Sequence, residues 1–117
     1  MIQFEVEGRP ISLNQIYTNH WSKRGQDKQI LWWKLKAVLL QNKISHEPLT
    51  TTVRINFKFH LKRGVDPDNC AGTVKLIIDY LREWGLLKND SPEFVSQVCM
   101  SVMTGRAREF VQVTINE

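Results

Sequence analysis

Val53-Arg54-Ile55-Asn56-Phe57-Lys58-Phe59-His60 alternates an apolar residue with a polar or basic one over its whole length. Successive strand side chains point to opposite faces, so the segment predicts a β-strand with Val53, Ile55, Phe57 and Phe59 toward a core and Arg54, Lys58 and His60 away from it. The neighbouring segments then set the fold class. Upstream, Gln26 to about Lys43 is rich in helix formers, with Leu31, Leu35, Val38 and Leu39 on one stripe and Ile30, Trp33, Ala37 and Leu40 on the next. That is wider than one sheet-facing stripe needs, so this helix is either deeply buried or meets another subunit with its second flank. Downstream, Val74, Leu76, Ile77, Tyr80, Leu81 and Trp84 mark a second helix, closed by Gly85 as C-cap.

The ends of the chain supply more strands. Ile2, Phe4 and Val6 alternate with Gln3, Glu5 and Glu7 up to Gly8-Arg9-Pro10, and two closing strands run roughly from Phe94 to Thr104 and from Arg108 to Ile115, with Gly105 and Arg106 at the turn. Between the first strand and first helix, Ile11 to Gly25 reads as a long polar and aromatic loop, a length that in compact domains often carries function. Strand, helix, strand, helix, strand, strand predicts one α+β domain over residues 1–117, a mixed sheet of about four strands with two helices packed on one face.

Composition narrows the class. A chain of 117 residues with 42% hydrophobic and 24% charged residues is globular rather than disordered or collagen-like, and holds one domain. Its net charge of +4 is unevenly spread. Six basic residues (Lys23, Arg24, Lys28, Lys34, Lys36, Lys43) and one acid lie between His20 and Lys43, and four basic residues (Arg54, Lys58, Lys62, Arg63) and no acid between Arg54 and Arg63, so the remainder is net acidic. A polyanion such as nucleic acid suits that asymmetry. Cys70 and Cys99 have neither disulfide-framework nor zinc spacing and read as reduced cytosolic thiols, and neither a secretion signal nor a membrane span is expected.

Asp66-Pro67-Asp68-Asn69 carries the chemistry. Pro67 keeps the segment extended, so the two carboxylates can point the same way just before a helix. Clustered carboxylates repel unless a cation compensates, and one or two of them with water and phosphate make an octahedral Mg²⁺ site. The alternative is turn chemistry, with Asp66 opening a turn and Asp68 capping the helix. Asp68, Gly72, Lys75 and Asp79 share one helical face, on which Asp79 stands one turn from Lys75 as an i,i+4 ion-pair partner. Asp90 follows on a short connection that can bring it back toward the helix or a partner subunit. Three carboxylates and a lysine form a phosphoryl-transfer constellation, although Asp90 can equally be a turn residue and Lys75 a solvated one.

The ordered set Asp66-Pro67-Asp68-Asn69, Lys75-Leu76-Ile77-Ile78-Asp79-Tyr80-Leu81, Gly85 and Asn89-Asp90-Ser91 with Val95 resembles the RusA family of Holliday junction resolvases over roughly residues 60–103. Ile11-Ser12-Leu13-Asn14-Gln15-Ile16-Tyr17 is similar to that family's N-terminal motif, which makes Asn14 and Tyr17 candidate DNA contacts. The resemblance implies an endonuclease using Mg²⁺, for which Mn²⁺ can stand in, acting as an intertwined homodimer that nicks a four-way DNA junction symmetrically. It implies that Asp66, Asp68 and Asp90 hold the metal and that Lys75 is catalytic, in a bacterial cytoplasm and from a host or phage gene. Asn89 replaces the first acid of the family's pair, the Asp68-to-Lys75 spacing is longer than in the founding members, and the arginine-rich run before the first aspartate is reduced to Lys62 and Arg63. Backbone contacts therefore fall to Arg54, Lys58, Lys23, Arg24 and Lys28 as well.

Other residues carry less. His20, His46 and His60 are scattered and read as loop or strand-face residues rather than ligands, Trp21 either anchors its loop or stacks on an unpaired base, and Trp32, Trp33 and Trp84 read as core or dimer interface. Two other function classes stay open: a branched-DNA-binding protein of this fold without catalysis, and a small protein-binding module in which the acids are turn residues.

Overall fold

The computed structural model describes residues 1–10, 21–64 and 70–117, with backbone alone for residues 21–26. In chain order the elements are β1 (Ile2–Glu7), α1 (Trp21–Gln41), β2 (Val53–His60), α2 (Ala71–Trp84), β3 (Val95–Met103) and β4 (Phe110–Asn116). The expected order is present, and a radius of gyration of 13.9 Å is that of one domain of this length.

The sheet order is β1-β4-β2-β3, so the alternating segment lies inside the sheet. β2 pairs antiparallel with β4 and parallel with β3, since α2 supplies the crossover that parallel neighbours require. The turn at Gly105 therefore joins strands that are not neighbours: it carries the chain over the end of β2, with Leu61 N–H donating to Met103 O and Arg106 N–H to Leu61 O. Gly105 takes a φ of 73° there, which a glycine adopts without strain.

Both helices cover one face. Phe4 and Val6, Ile55, Phe57 and Phe59, and Val111, Val113 and Ile115 form the sheet side of the core, against Leu31, Leu35 and Leu39 of α1 and Val74, Ile77 and Leu81 of α2. No described helix covers the other face. It holds Arg54 and Lys58, and His60 stacked on Phe110 at 4.4 Å.

Two expectations need correction. α1 starts at Trp21 rather than Gln26, so Trp21 is helical and not part of the preceding loop. Gly25 disfavours helix, but extending an existing helix backward costs far less than starting one. Of the two places read for Trp33, core or dimer interface, the core is excluded: it is 62% exposed, while Ile30, Ala37 and Leu40 of the same stripe are exposed too. Trp84 is core, its Nε1 donating to the carbonyls of Ile44 and Ser45 while its ring stacks on His46 at 4.0 Å. Cys70 is buried before α2 and Cys99 exposed on β3, so no disulfide joins them. Among the described residues no helix is long and apolar enough to cross a membrane.

Candidate active site

Gly85 ends α2 in the left-handed conformation, at a φ of 99°, and the N–H groups of Gly85 and Leu86 close on the carbonyls of Arg82 and Leu81. Leu86 and Leu87 bury themselves immediately afterward and pin the connection against the core. Asp90 is thereby brought back alongside the helix that the chain has just left. Its N–H donates to Asn89 Oδ1 at 2.7 Å, so the Asn89 amide folds back onto the backbone of Asp90.

The result is a hollow of about 250 Å³ between α2 and β3. Lys75, Asp79 and Asp90 are its polar lining, and Val74, Ile78, Val95, Val98 and Met100 its apolar wall. Helical spacing brings Lys75 and Asp79 to one side, and the Gly85 turn supplies Asp90. Arg82 links the two acids, 3.9 Å from Asp79 and 3.7 Å from Asp90. The expected Asp79–Lys75 ion pair is absent, because Asp79 turns toward the arginine three residues on. Lys75 is exposed and has no ion-pair partner among the described residues.

Arg82 is the residue that sequence reasoning missed. It continues the progression through Lys75 and Asp79 by one further step of three, a signal visible in the spacing. Solvent-exposed ion pairs of this length contribute about 0–1 kcal/mol, so the acids can exchange Arg82 for a stronger cation at little cost.

Asp66, Asp68, Asn14 and Tyr17 lie outside the described residues, and Lys23 and Arg24 are described by backbone only. α2 begins at Ala71 after Cys70, which makes no side-chain cap hydrogen bond; the reading of Asp68 as the helix cap falls on a residue outside those described. Ala71, the first residue of α2, lines the hollow. Among the described residues no three His, Cys, Asp or Glu side chains gather as a metal-holding group.

The other basic candidates are spread over different surfaces. Lys28 lies 4.3 Å above the ring of Trp32 on α1. Arg54 and Lys58 stand on the face of β2 that no described helix covers, across the sheet from the hollow, and Lys62 and Arg63 are exposed just beyond its end. Arg108, which the sequence did not single out, pairs with Glu5 at 2.7 Å and with Glu7 at 3.2 Å, and covers Phe110 at 4.2 Å. His46 is held structurally, its Nδ1 donating to Trp84 O at 2.8 Å. A comparison of the chain with protein-family models finds no match, and neither does a comparison with curated proteins.

Proposed function

We propose that this chain is a Mg²⁺-dependent, structure-specific endodeoxyribonuclease that acts as a homodimer in the bacterial cytoplasm and resolves four-way DNA junctions by paired symmetric nicks. The observation that carries this reading is the meeting of Lys75 and Asp90 in one hollow: the two come from different segments, and both belong to the motifs that resemble the resolvase family.

The donor chemistry fits the ion. Mg²⁺ takes carboxylate and water oxygens, and Asp79 and Asp90, close enough to share Arg82, are donors of that class, to which Asp66 and Asp68 would add. Bound there, the ion would lower the pKa of an attacking water and neutralise phosphate oxygens. Lys75 binds the scissile phosphate through its exposed ammonium and offsets the charge that grows on it in the transition state. Arg82 leaves Asp90 when the carboxylate is needed and can take up phosphate in its place. Val98 and Met100 thin the water on one side, which strengthens these charge interactions.

A dimer is supported by the sheet edge. β3 is an outer strand of nine residues whose far edge has no partner strand among the described residues, with Val98 42% and Met100 39% exposed. Long apolar edges pair with something, and a second β3 would cover both residues and bring two hollows to one two-fold axis, as two equivalent strands of a junction require.

The test is cleavage of a labelled mobile four-way junction in Mg²⁺ and in EDTA, beside a matched linear duplex. Paired nicks that need Mg²⁺ and spare the duplex are expected, and Lys75→Ala or Asp90→Asn should slow them by about 100-fold while leaving junction binding intact. Nicking at the unaltered rate by both variants would overturn the site. The Arg82–Asp90 ion pair, with Asn89 where an acid is usual, favours a second reading in which the protein binds branched DNA without cutting it. That reading predicts junction binding and no Mg²⁺-dependent product.

A further inference from the structure

On the opposite flank of α2 from Lys75 lies a second hollow, of about 420 Å³, between α1 and α2. Lys28, Trp32 and Lys36 recur at four-residue intervals along α1, Gln29 and Trp33 run along the adjacent line, and Tyr80 of α2 forms the far wall. The core does not need this surface, because α1 turns Leu31, Leu35 and Leu39 toward the sheet. Trp33 nevertheless offers 62% of its area to solvent.

Two further features show what the groove lacks. Trp32 is fixed in place, edge-on to Tyr80 at 5.1 Å and beneath the Lys28 ammonium at 4.3 Å, yet its indole N–H is covered and has no acceptor among the described residues. Lys34 is occupied, donating to Glu7 O at 3.2 Å, whereas Lys28 and Lys36 have no carboxylate partner among the described residues. An open aromatic face beside two ammonium groups that have no carboxylate partner among the described residues suits a flat ring joined to an anion. A nucleotide has that chemistry.

We propose that this groove grips single-stranded nucleic acid, with an unpaired base stacked on Trp33 and the adjoining phosphates on Lys28 and Lys36. The two lysines are separated by about 12 Å along the helix, which suits a short run of strand better than one phosphate. A duplex buries its base faces in its own stack, so only an unpaired base can use the indole. A second copy of this chain is the poorer occupant, because a two-fold contact here would bring Lys28 and Lys36 toward the same lysines. The proposal does not depend on cleavage by the hollow at Lys75.

The test uses the full chain in EDTA, with a fluorescein-labelled 12-nucleotide oligothymidylate and a 12-base-pair duplex as probes. Oligothymidylate should bind more tightly than the duplex and quench tryptophan fluorescence. Trp33→Ala should weaken oligothymidylate binding about ten-fold, leave duplex binding and the melting temperature unchanged, and be rescued largely by Trp33→Phe. Lys28→Ala and Lys36→Ala should each lower the slope of log affinity against log salt by about 0.7, which Trp33→Ala should not do. Unchanged oligothymidylate affinity in Trp33→Ala would overturn the proposal, as would a dimer that Trp33→Ala splits in sedimentation without loss of oligothymidylate binding. Lys75→Ala separates the two readings: it should slow nicking about 100-fold and keep oligothymidylate binding, whereas a protein that never nicks junctions but passes the Trp33 test leaves this groove assigned and the cleavage reading refuted.

Discussion

Gly85 decides where Asp90 goes. Its φ of 99° is open to glycine and costs another residue roughly 1–2 kcal/mol, and a Cβ there would also meet the carbonyl oxygen of His46. Gly85→Ala should therefore lower unfolding free energy by about 2 kcal/mol or more in urea titrations, and an unchanged midpoint would refute this account of the cap. His60 acts on stability through pH. Burial chiefly, and then the cations Arg106 and Lys58, hold its pKa below the usual 6.5, against a smaller pull upward from Gln112 and Glu5. The unfolded chain takes up the proton near pH 6.5 while the folded chain resists it, so this contribution is complete above 6.5 and is lost as the pH falls below it. Melting temperatures between pH 7 and pH 5 should fall less steeply in His60→Gln than in the unaltered protein, and equal slopes would remove His60 from the cause. Lys75 and Asp90 were singled out by type and by the family resemblance, while taken alone they also read as a solvated lysine and a turn aspartate. Arg82 was not singled out, because its link to Asp90 exists only once the Gly85 turn has brought that carboxylate back.

Among the elements, β2 and α2 were the most legible, since each carries the period of its own geometry and α2 ends on a glycine. β3 was legible as a strand, read roughly from Phe94 to Thr104 against an observed Val95–Met103, but not as an edge. Strand alternation reports which side chains share a face; it does not report whether a helix covers that face, and α2 leaves Val98 and Met100 open. If two copies pair along this edge, Val98→Lys should convert a dimer into a monomer in sedimentation velocity while preserving the circular dichroism spectrum, since a lysine on an open edge blocks strand pairing. A dimer that survives the substitution places the interface elsewhere. α1 was read as having two apolar stripes, and the second proved to be exposed rather than buried, which a helical wheel cannot distinguish.

For the molecule as a whole, the sheet separates two kinds of basic residue. Lys75, Lys28 and Lys36 belong to the helix layer, whereas Arg54 and Lys58 project from the opposite face. On the proposed reading, a junction held at the hollow meets Arg54 and Lys58 only by reaching the other face of the sheet. Replacing both by alanine should lower junction affinity and reduce the salt slope by up to about 1.8, with single-turnover cleavage of bound junction unchanged. Lys75→Ala should do the reverse, slowing cleavage with the slope altered by one contact at most. Equal effects of both variants on the cleavage rate would mean that the two faces serve one site.

The sequence by itself determined the element order, the α+β class, the core faces of β2 and α2 and the residue types able to perform phosphoryl chemistry, because periodicity and capping are local properties written in neighbouring side chains. It could not order the strands β1-β4-β2-β3, expose Val98 and Trp33, set Arg54 across the sheet from Lys75 or join Asp79 to Asp90 through Arg82. Those are relations between segments distant in the chain, and only packing against the common core decides which of them meet.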